Sequence, residues 1–96
     1  MNYLEKRLIK DPNMVFRQID DEVILVPIRQ NVGDLESIYT LNEVAARIWE
    51  LIDRKRNVDK IRDVIVEEFE VTPKEAEKDL IELLQKLEKI EAIKET

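Results

Sequence analysis

From Met14 to Leu41 the apolar positions recur with a short period close to two residues, a pattern typical of strands. Three such stretches are rich in β-branched side chains and predict strands at residues 15–19, 23–28 and 36–41. Turn-forming clusters at 20–22 and 31–34 would close an antiparallel meander. Pro27 lacks a backbone donor, so we expect a bulge or an early end of pairing there.

From Leu41 onward the apolar spacing lengthens to about 3.6 residues, which indicates helices. The first helix is predicted to follow Asn42 as its N-cap, and the second to begin at Val58. A third helix is predicted to start at Thr72, where a capping box is combined with proline at the first helical position, and to run to about Ile93.

The predicted fold class is therefore α+β and winged-helix-like, a three-stranded antiparallel sheet followed by three helices. Residues 1–13 end in a turn-prone, proline-containing cluster and are interpreted as a flexible N-terminal arm. Residues 14–96 then form a single domain, since 96 residues suit one hydrophobic core.

Charge narrows the range of partners. The chain carries 22 acidic and 16 basic residues, a formal charge of −6, which disfavours binding to nucleic acid or to an anionic membrane. It has no cysteine, its start lacks the apolar core of a signal peptide, and no apolar run approaches the ~20 residues that cross a bilayer. We expect a cytoplasmic protein.

Little in the sequence indicates catalysis. Histidine and cysteine are absent, the single serine, Ser37, has no partner base, and one glycine cannot build a phosphate-binding loop. The densest acidic cluster, at 20–22, is interpreted as a solvated turn rather than a metal site. We expect no enzyme activity and no cofactor; an enzyme that uses carboxylates alone is kept as an alternative.

A winged-helix DNA-binding regulator is a second alternative, because the second and third predicted helices are joined like a helix-turn-helix. The third helix would then read bases. Residues 74–94 hold more acidic than basic side chains, with no arginine for guanine and no asparagine for adenine. DNA reading is therefore disfavoured.

The third predicted strand has one open side, and backbone groups there invite pairing with another extended chain. It offers Glu36, Ser37, Ile38, Tyr39 and Thr40 for strand addition. A flank of the third helix forms a second wall, with Lys78, Ile81, Glu82, Gln85 and Lys89. Ile81 either floors this groove or fills the core, and Trp49 is expected in the core rather than at a ligand. A homodimer through the same edge, or an edge covered by the arm, is also considered.

Residues 39–53 resemble the central signature of the PqqD-like proteins: a strand, then Leu41-Asn42, Ala45-Ala46, Ile48-Trp49 and Leu51. Residues 57–61 resemble the start of the family's next helix, and residues 72–87 resemble its last helix, so the resemblance covers about 14–93. One position departs from the pattern, because the family often has Asp-Gly after its first helix and this chain has Asp53-Arg54.

The resemblance implies a non-catalytic recognition element for the leader of a ribosomally made precursor peptide. In such proteins the leader adds as a strand to the third strand, beside the third helix, which corresponds here to residues 36–40 and 78–89. The implied partners are the precursor peptide and a modifying enzyme, such as a radical S-adenosylmethionine maturase or a leader peptidase. The domain itself would hold no cofactor.

Overall fold

The computed structural model describes residues 3–20, 22–27 and 39–96. Its helices are α1 (Glu43–Leu51), α2 (Val58–Phe69) and α3 (Pro73–Lys89), preceded by a short 3-10 helix at Tyr3–Glu5. Its strands are β1 (Leu8–Lys10), β2 (Met14–Ile19), β3 (Glu22–Pro27), β4 (Tyr39–Leu41) and β5 (Ile93–Glu95). Strands β2, β3 and β4 form one antiparallel sheet in that order, which confirms the predicted α+β architecture.

The β2–β3 hairpin is closed by a two-residue turn, with Ile19 opposite Glu22 and Asp20 in the left-handed region at φ 55°. Aspartate tolerates that conformation better than most residues. Pairing runs without a bulge to Pro27, which lies opposite Met14 and ends the strand. Ile28 and the predicted turn at 31–34 lie outside the described residues.

The predicted helix starts are confirmed. The Asn42 side chain accepts a hydrogen bond of 2.8 Å from the Ala45 backbone N–H. Thr72 accepts one of 3.2 Å from the Glu75 N–H, with Pro73 as the first helical residue. Each bond satisfies one backbone donor that the first turn of a helix leaves without a partner.

Helix α3 ends at Lys89, before the predicted Ile93, and the chain reverses. Glu91 is left-handed at φ 62°, the Ala92 N–H donates to the Leu87 carbonyl at 2.8 Å, and the Glu91 N–H donates to the Glu88 carbonyl. This pair of bonds is a Schellman motif, built here without glycine. It returns Ala92 and Ile93 to the core, where both are buried.

The N-terminal segment differs from the loose arm expected from the sequence. Strand β1 pairs antiparallel with β5, and Leu8 is 1% exposed. The other side of β1 is bonded to the α1–α2 linker, where the Arg54 N–H donates to the Leu8 carbonyl and the Val58 N–H to the Lys6 carbonyl. The Tyr3 hydroxyl donates to a Glu88 carboxylate oxygen. The described part of this segment is thus packed on both sides.

The core lies between the main sheet and the helices. Trp49 is 4% exposed and belongs to the core, as predicted, with the Lys10 ammonium 5.1 Å from its ring centroid. Helix α1 buries a wide face because it lies between the sheet and the other two helices. The most deeply buried large side chains are Leu8, Leu25, Ile48, Val58, Ile61, Leu80, Leu84 and Leu87.

The α1–α2 linker holds an unusual residue for its backbone conformation. Arg54 has φ 72°, at the position where the PqqD-like pattern often has glycine. Its neighbour Asp53 stabilises the turn, accepting from the backbone N–H groups of Arg56 and Lys55 and pairing with the Arg56 guanidinium at 2.7 Å. The Arg56 N–H bond is the main cause that lowers the pKa of Asp53.

Candidate functional site

Strand β4 presents outward-facing backbone groups at its middle residue. In an antiparallel ladder, hydrogen-bonded and non-bonded pairs alternate, and a pair closing a two-residue turn is bonded. The pair Ile19–Glu22 closes the turn and is hydrogen-bonded, so the pair two residues further along, Arg17–Ile24, is hydrogen-bonded as well. The N–H and C=O of Ile24 therefore point toward β2 and away from β4. Its β4 neighbour, Thr40, is therefore in a non-bonded pair. The N–H and C=O of Thr40 face away from β3.

Within the described residues, β4 pairs with β3 alone, and no described strand lies along its other edge. Leu41 is buried and Tyr39 is half-buried against the core, whereas Thr40 is exposed. The anchored side chains hold the strand in place while its middle residue remains accessible. Glu36, Ser37 and Ile38, which the sequence also proposed for this edge, lie outside the described residues.

A cleft of about 320 Å³ lies between α1 and α3, and Asn42, which directly follows β4, is part of its wall. The apolar part of the lining includes Val44 and Leu83, both half-buried, above the buried Ile48. A mostly apolar floor with a few polar groups at the rim is typical of a binding cleft. The full lining is Asn42, Val44, Ala45, Ile48, Asp79, Glu82, Leu83 and Lys86.

Of the five α3 residues predicted for the site, Glu82 lines this cleft. Lys78, Gln85 and Lys89 are exposed, and Ile81 is half-buried but belongs neither to the core cluster nor to the cleft lining.

The site predicted from the sequence left out seven of the eight lining residues: Asn42, Val44, Ala45, Ile48, Asp79, Leu83 and Lys86. The three on α3 share one face with Glu82, at spacings of three and four residues. This face lies directly beside the buried stripe of α3. The flank predicted from the sequence lies further around the same helix. The missing information was tertiary, namely which side of α3 faces α1.

Charge at the rim is unbalanced. Asp79 and Glu82 are both exposed and one helical turn apart, and like charges at this spacing repel weakly. Among the described residues, neither carboxylate forms a hydrogen bond or an ion pair, and Lys86 on the same face does not pair with them. The rim thus presents two free carboxylates and one ammonium to any ligand.

The residues with shifted pKa values lie away from the cleft lining. Hydrogen bonds from the Arg47 guanidinium, which joins α1 to α2, lower the pKa of Glu68. Burial lowers the pKa of Lys10 beside Trp49. Both shifts accompany contacts that join elements of the fold. Within 3–20, 22–27 and 39–96, no group of acidic side chains is arranged to hold a metal ion, and no helix is long and apolar enough to span a membrane.

A second concavity, of about 470 Å³, is larger but chemically different. It lies beside β5 and is lined by Asp11, Pro12, Glu88, Glu91, Ile93, Lys94 and Glu95. Four of these side chains are acidic, and Ile93 is buried in the core. The cleft between α1 and α3 is the better candidate because its lining includes Asn42, at the end of strand β4.

These features define a small winged-helix-like α+β domain with an accessible sheet edge beside a helix-lined cleft. The chain belongs to the PqqD family: the sequence model described as "Coenzyme PQQ synthesis protein D (PqqD)" matches residues 22–93. The resemblance noted in the sequence is thereby confirmed.

A solved structure adds to the family match. The fold is similar to that of TbiB1, solved in complex with the TbiA(beta) leader peptide, with a TM-score of 0.72 and 28% sequence identity. The similarity covers 88% of this chain and 93% of that chain. No curated protein matches the sequence.

Proposed function

We propose that this protein binds the leader of a ribosomally made precursor peptide by strand addition to β4 and presents it to a modifying enzyme, without catalysing a reaction itself. The observation that carries the proposal is the outward-facing N–H and C=O of Thr40 beside the cleft. Membership in the PqqD family and the similarity to TbiB1, solved with a leader peptide, support it.

Edge chemistry supports the same conclusion. Proteins usually protect strand edges with charged residues, proline or a covering segment. Strand β1 is protected in this way, because β5 lies on one side and the linker on the other. Tyr39–Leu41 carries neither a charge nor a proline, and no described segment covers it. An added peptide strand would satisfy its free backbone groups.

A leader bound in this way would gain affinity from backbone bonds at β4 and selectivity from side chains that enter the cleft. The edge is already formed, so the ordering cost falls mainly on the peptide. We expect micromolar or tighter dissociation constants, equivalent to about −8 kcal/mol at the weak end.

The test is an NMR titration of the ¹⁵N-labelled protein with the leader of the small precursor encoded nearest its gene. Shifts should concentrate at Thr40, at the cleft lining and in the predicted flank 78–89. In Thr40→Pro the outward donor is lost while the donors of Tyr39 and Leu41 to β3 remain, so binding should be abolished in a folded protein.

Thr40→Val is the matched control, because valine keeps the backbone N–H and the branched shape of threonine. It should bind the leader as the wild type does. Undiminished binding by a folded Thr40→Pro variant would rule out strand addition at β4. A salt-dependent response to duplex DNA, with none to peptide, would instead favour the winged-helix regulator.

A further inference from the structure

We infer that the cleft selects leader segments in which a lysine or arginine lies near an aliphatic residue. This inference rests on the proposed function and specifies the chemistry of its ligand. The chain itself is acidic, with a formal charge of −6, but the inference depends on where two particular carboxylates lie relative to the apolar floor.

The floor sets the aliphatic requirement. Val44 and Leu83 are partly exposed within the cleft although both pack against the core. An aliphatic side chain from an added strand would bury this remaining surface, which is favourable because apolar area is removed from water. A cleft of about 320 Å³ has room for one or two such side chains.

The rim sets the basic requirement. Asp79 lies one turn before Leu83, so their Cβ atoms are about 5–6 Å apart, and Glu82 lies between them in sequence on the same face. Alternate side chains of an extended peptide are about 7 Å apart on one face. A long basic side chain two positions from the aliphatic residue can therefore reach these carboxylates.

Both carboxylates are available for such a contact. In the described structure neither is engaged by a cation of the chain, and their mutual repulsion is relieved when a cation binds between them. Lys86, the single cation on the cleft lining, offsets one of the two charges, which leaves the rim negative. An acidic segment at the same position would be repelled.

The experiment selects peptides from a phage-displayed library of random dodecapeptides, with the full chain as bait. Three baits are compared: the wild type, D79N/E82Q, and the matched control E5Q/E67Q. The control removes the same two charges from exposed residues outside the cleft lining. Thr40→Pro serves in parallel to identify peptides that depend on the β4 edge.

The wild type and the E5Q/E67Q control should enrich peptides with a basic residue two positions from an aliphatic one, and D79N/E82Q should keep the aliphatic preference alone. For the best peptide, replacing its basic residue by norleucine should weaken wild-type binding roughly 2- to 30-fold at low salt, the range expected for two surface ion pairs. The same replacement should leave binding to D79N/E82Q unchanged.

The two proposals fail in different ways. Enriched peptides that need the β4 edge but show no basic preference, or the same preference with D79N/E82Q, would overturn this inference and leave leader binding standing. If no enriched peptide loses binding with Thr40→Pro, both proposals are overturned.

Discussion

Replacing Arg54 by glycine should stabilise the protein, although it removes a charged residue and adds chain flexibility. Arg54 has φ 72°, a region that a Cβ atom disfavours. Its backbone N–H donates to the Leu8 carbonyl at 3.2 Å, so the conformation is tied to the packing of β1. Glycine keeps this N–H and removes the Cβ. The exposed arginine side chain makes no ion pair with any described residue.

The magnitude follows from two opposing terms. A non-glycine residue in the left-handed region costs about 1–2 kcal/mol. Glycine offsets about 0.5–1 kcal/mol of the stability gained by removing this cost, because it loses more conformational freedom on folding. The net gain lies within about 0–1.5 kcal/mol, with a central value of about 0.75 kcal/mol. In a domain of this size the central value corresponds to a rise in Tm of about 3–6 °C.

Urea denaturation followed by the fluorescence of Trp49 measures the change, since this residue is buried in the core and is the single tryptophan of the chain. Arg54→Ala is the control, because it removes the same charge and side chain but keeps the Cβ. The glycine variant should be more stable than the alanine variant. Equal stability of the two, or a less stable glycine variant, would refute the assignment of strain to Arg54.

Two further predictions concern the N-terminal segment. Leu8→Ala should lower the free energy of unfolding by about 2–5 kcal/mol because Leu8 is 1% exposed. The control, Ile9→Ala, lies outside the core cluster and should lower it by about 1 kcal/mol or less. Equally small effects of the two variants in urea denaturation would mean that the segment is a loose arm. Tyr3→Phe should cost about 1 kcal/mol by removing the hydrogen bond to Glu88. Burial and that bond raise the pKa of Tyr3 above its ordinary value of 10.0. The difference in unfolding free energy between the wild type and Tyr3→Phe should therefore be full below pH 10 and should shrink as the pH rises above it. A difference that grows at alkaline pH would contradict the contact.

The helices could be predicted from the sequence because their signals are local. The start of α3 is indicated within four residues by Thr72, Pro73 and Glu75. The N-cap at Asn42 likewise depends only on residues of the helix that it begins. The β2–β3 hairpin was predictable for the same reason, since its turn and its alternation lie within 14 consecutive residues.

Strands β1 and β5 could not be predicted because each has three residues, too few to show a period, and because they meet across almost the whole chain. The end of α3 was missed for a related reason. Ile90 and Ile93 continue the helical spacing, and Glu91 adopts the left-handed turn without the glycine that usually signals it. Leu8 gave no sign in the sequence that it would be buried.

The candidate site also has a part that the sequence predicts and a part that depends on tertiary packing. That the last strand has an unpaired side could be predicted from strand order, whereas the outward orientation of Thr40 requires the pairing register and the cleft depends on how α1 lies against α3. The three helices pack in one core, and at the surface the Arg47–Glu68 bonds join α1 to α2 and the Arg62–Glu77 pair joins α2 to α3. Variants of these pairs test the fold, while variants of the rim test recognition.

The outward-facing backbone groups of Thr40 would serve both the proposed peptide binding and any self-association of the protein. A second copy could add its own β4 to this edge by antiparallel pairing, which is the isologous contact that a two-fold dimer requires. Each copy carries a formal charge of −6, so bringing two copies together costs repulsion that a basic leader would not meet. A leader with a positive charge near its aliphatic anchor would therefore compete well against the dimer, and raising the salt concentration would narrow its advantage because it screens both effects.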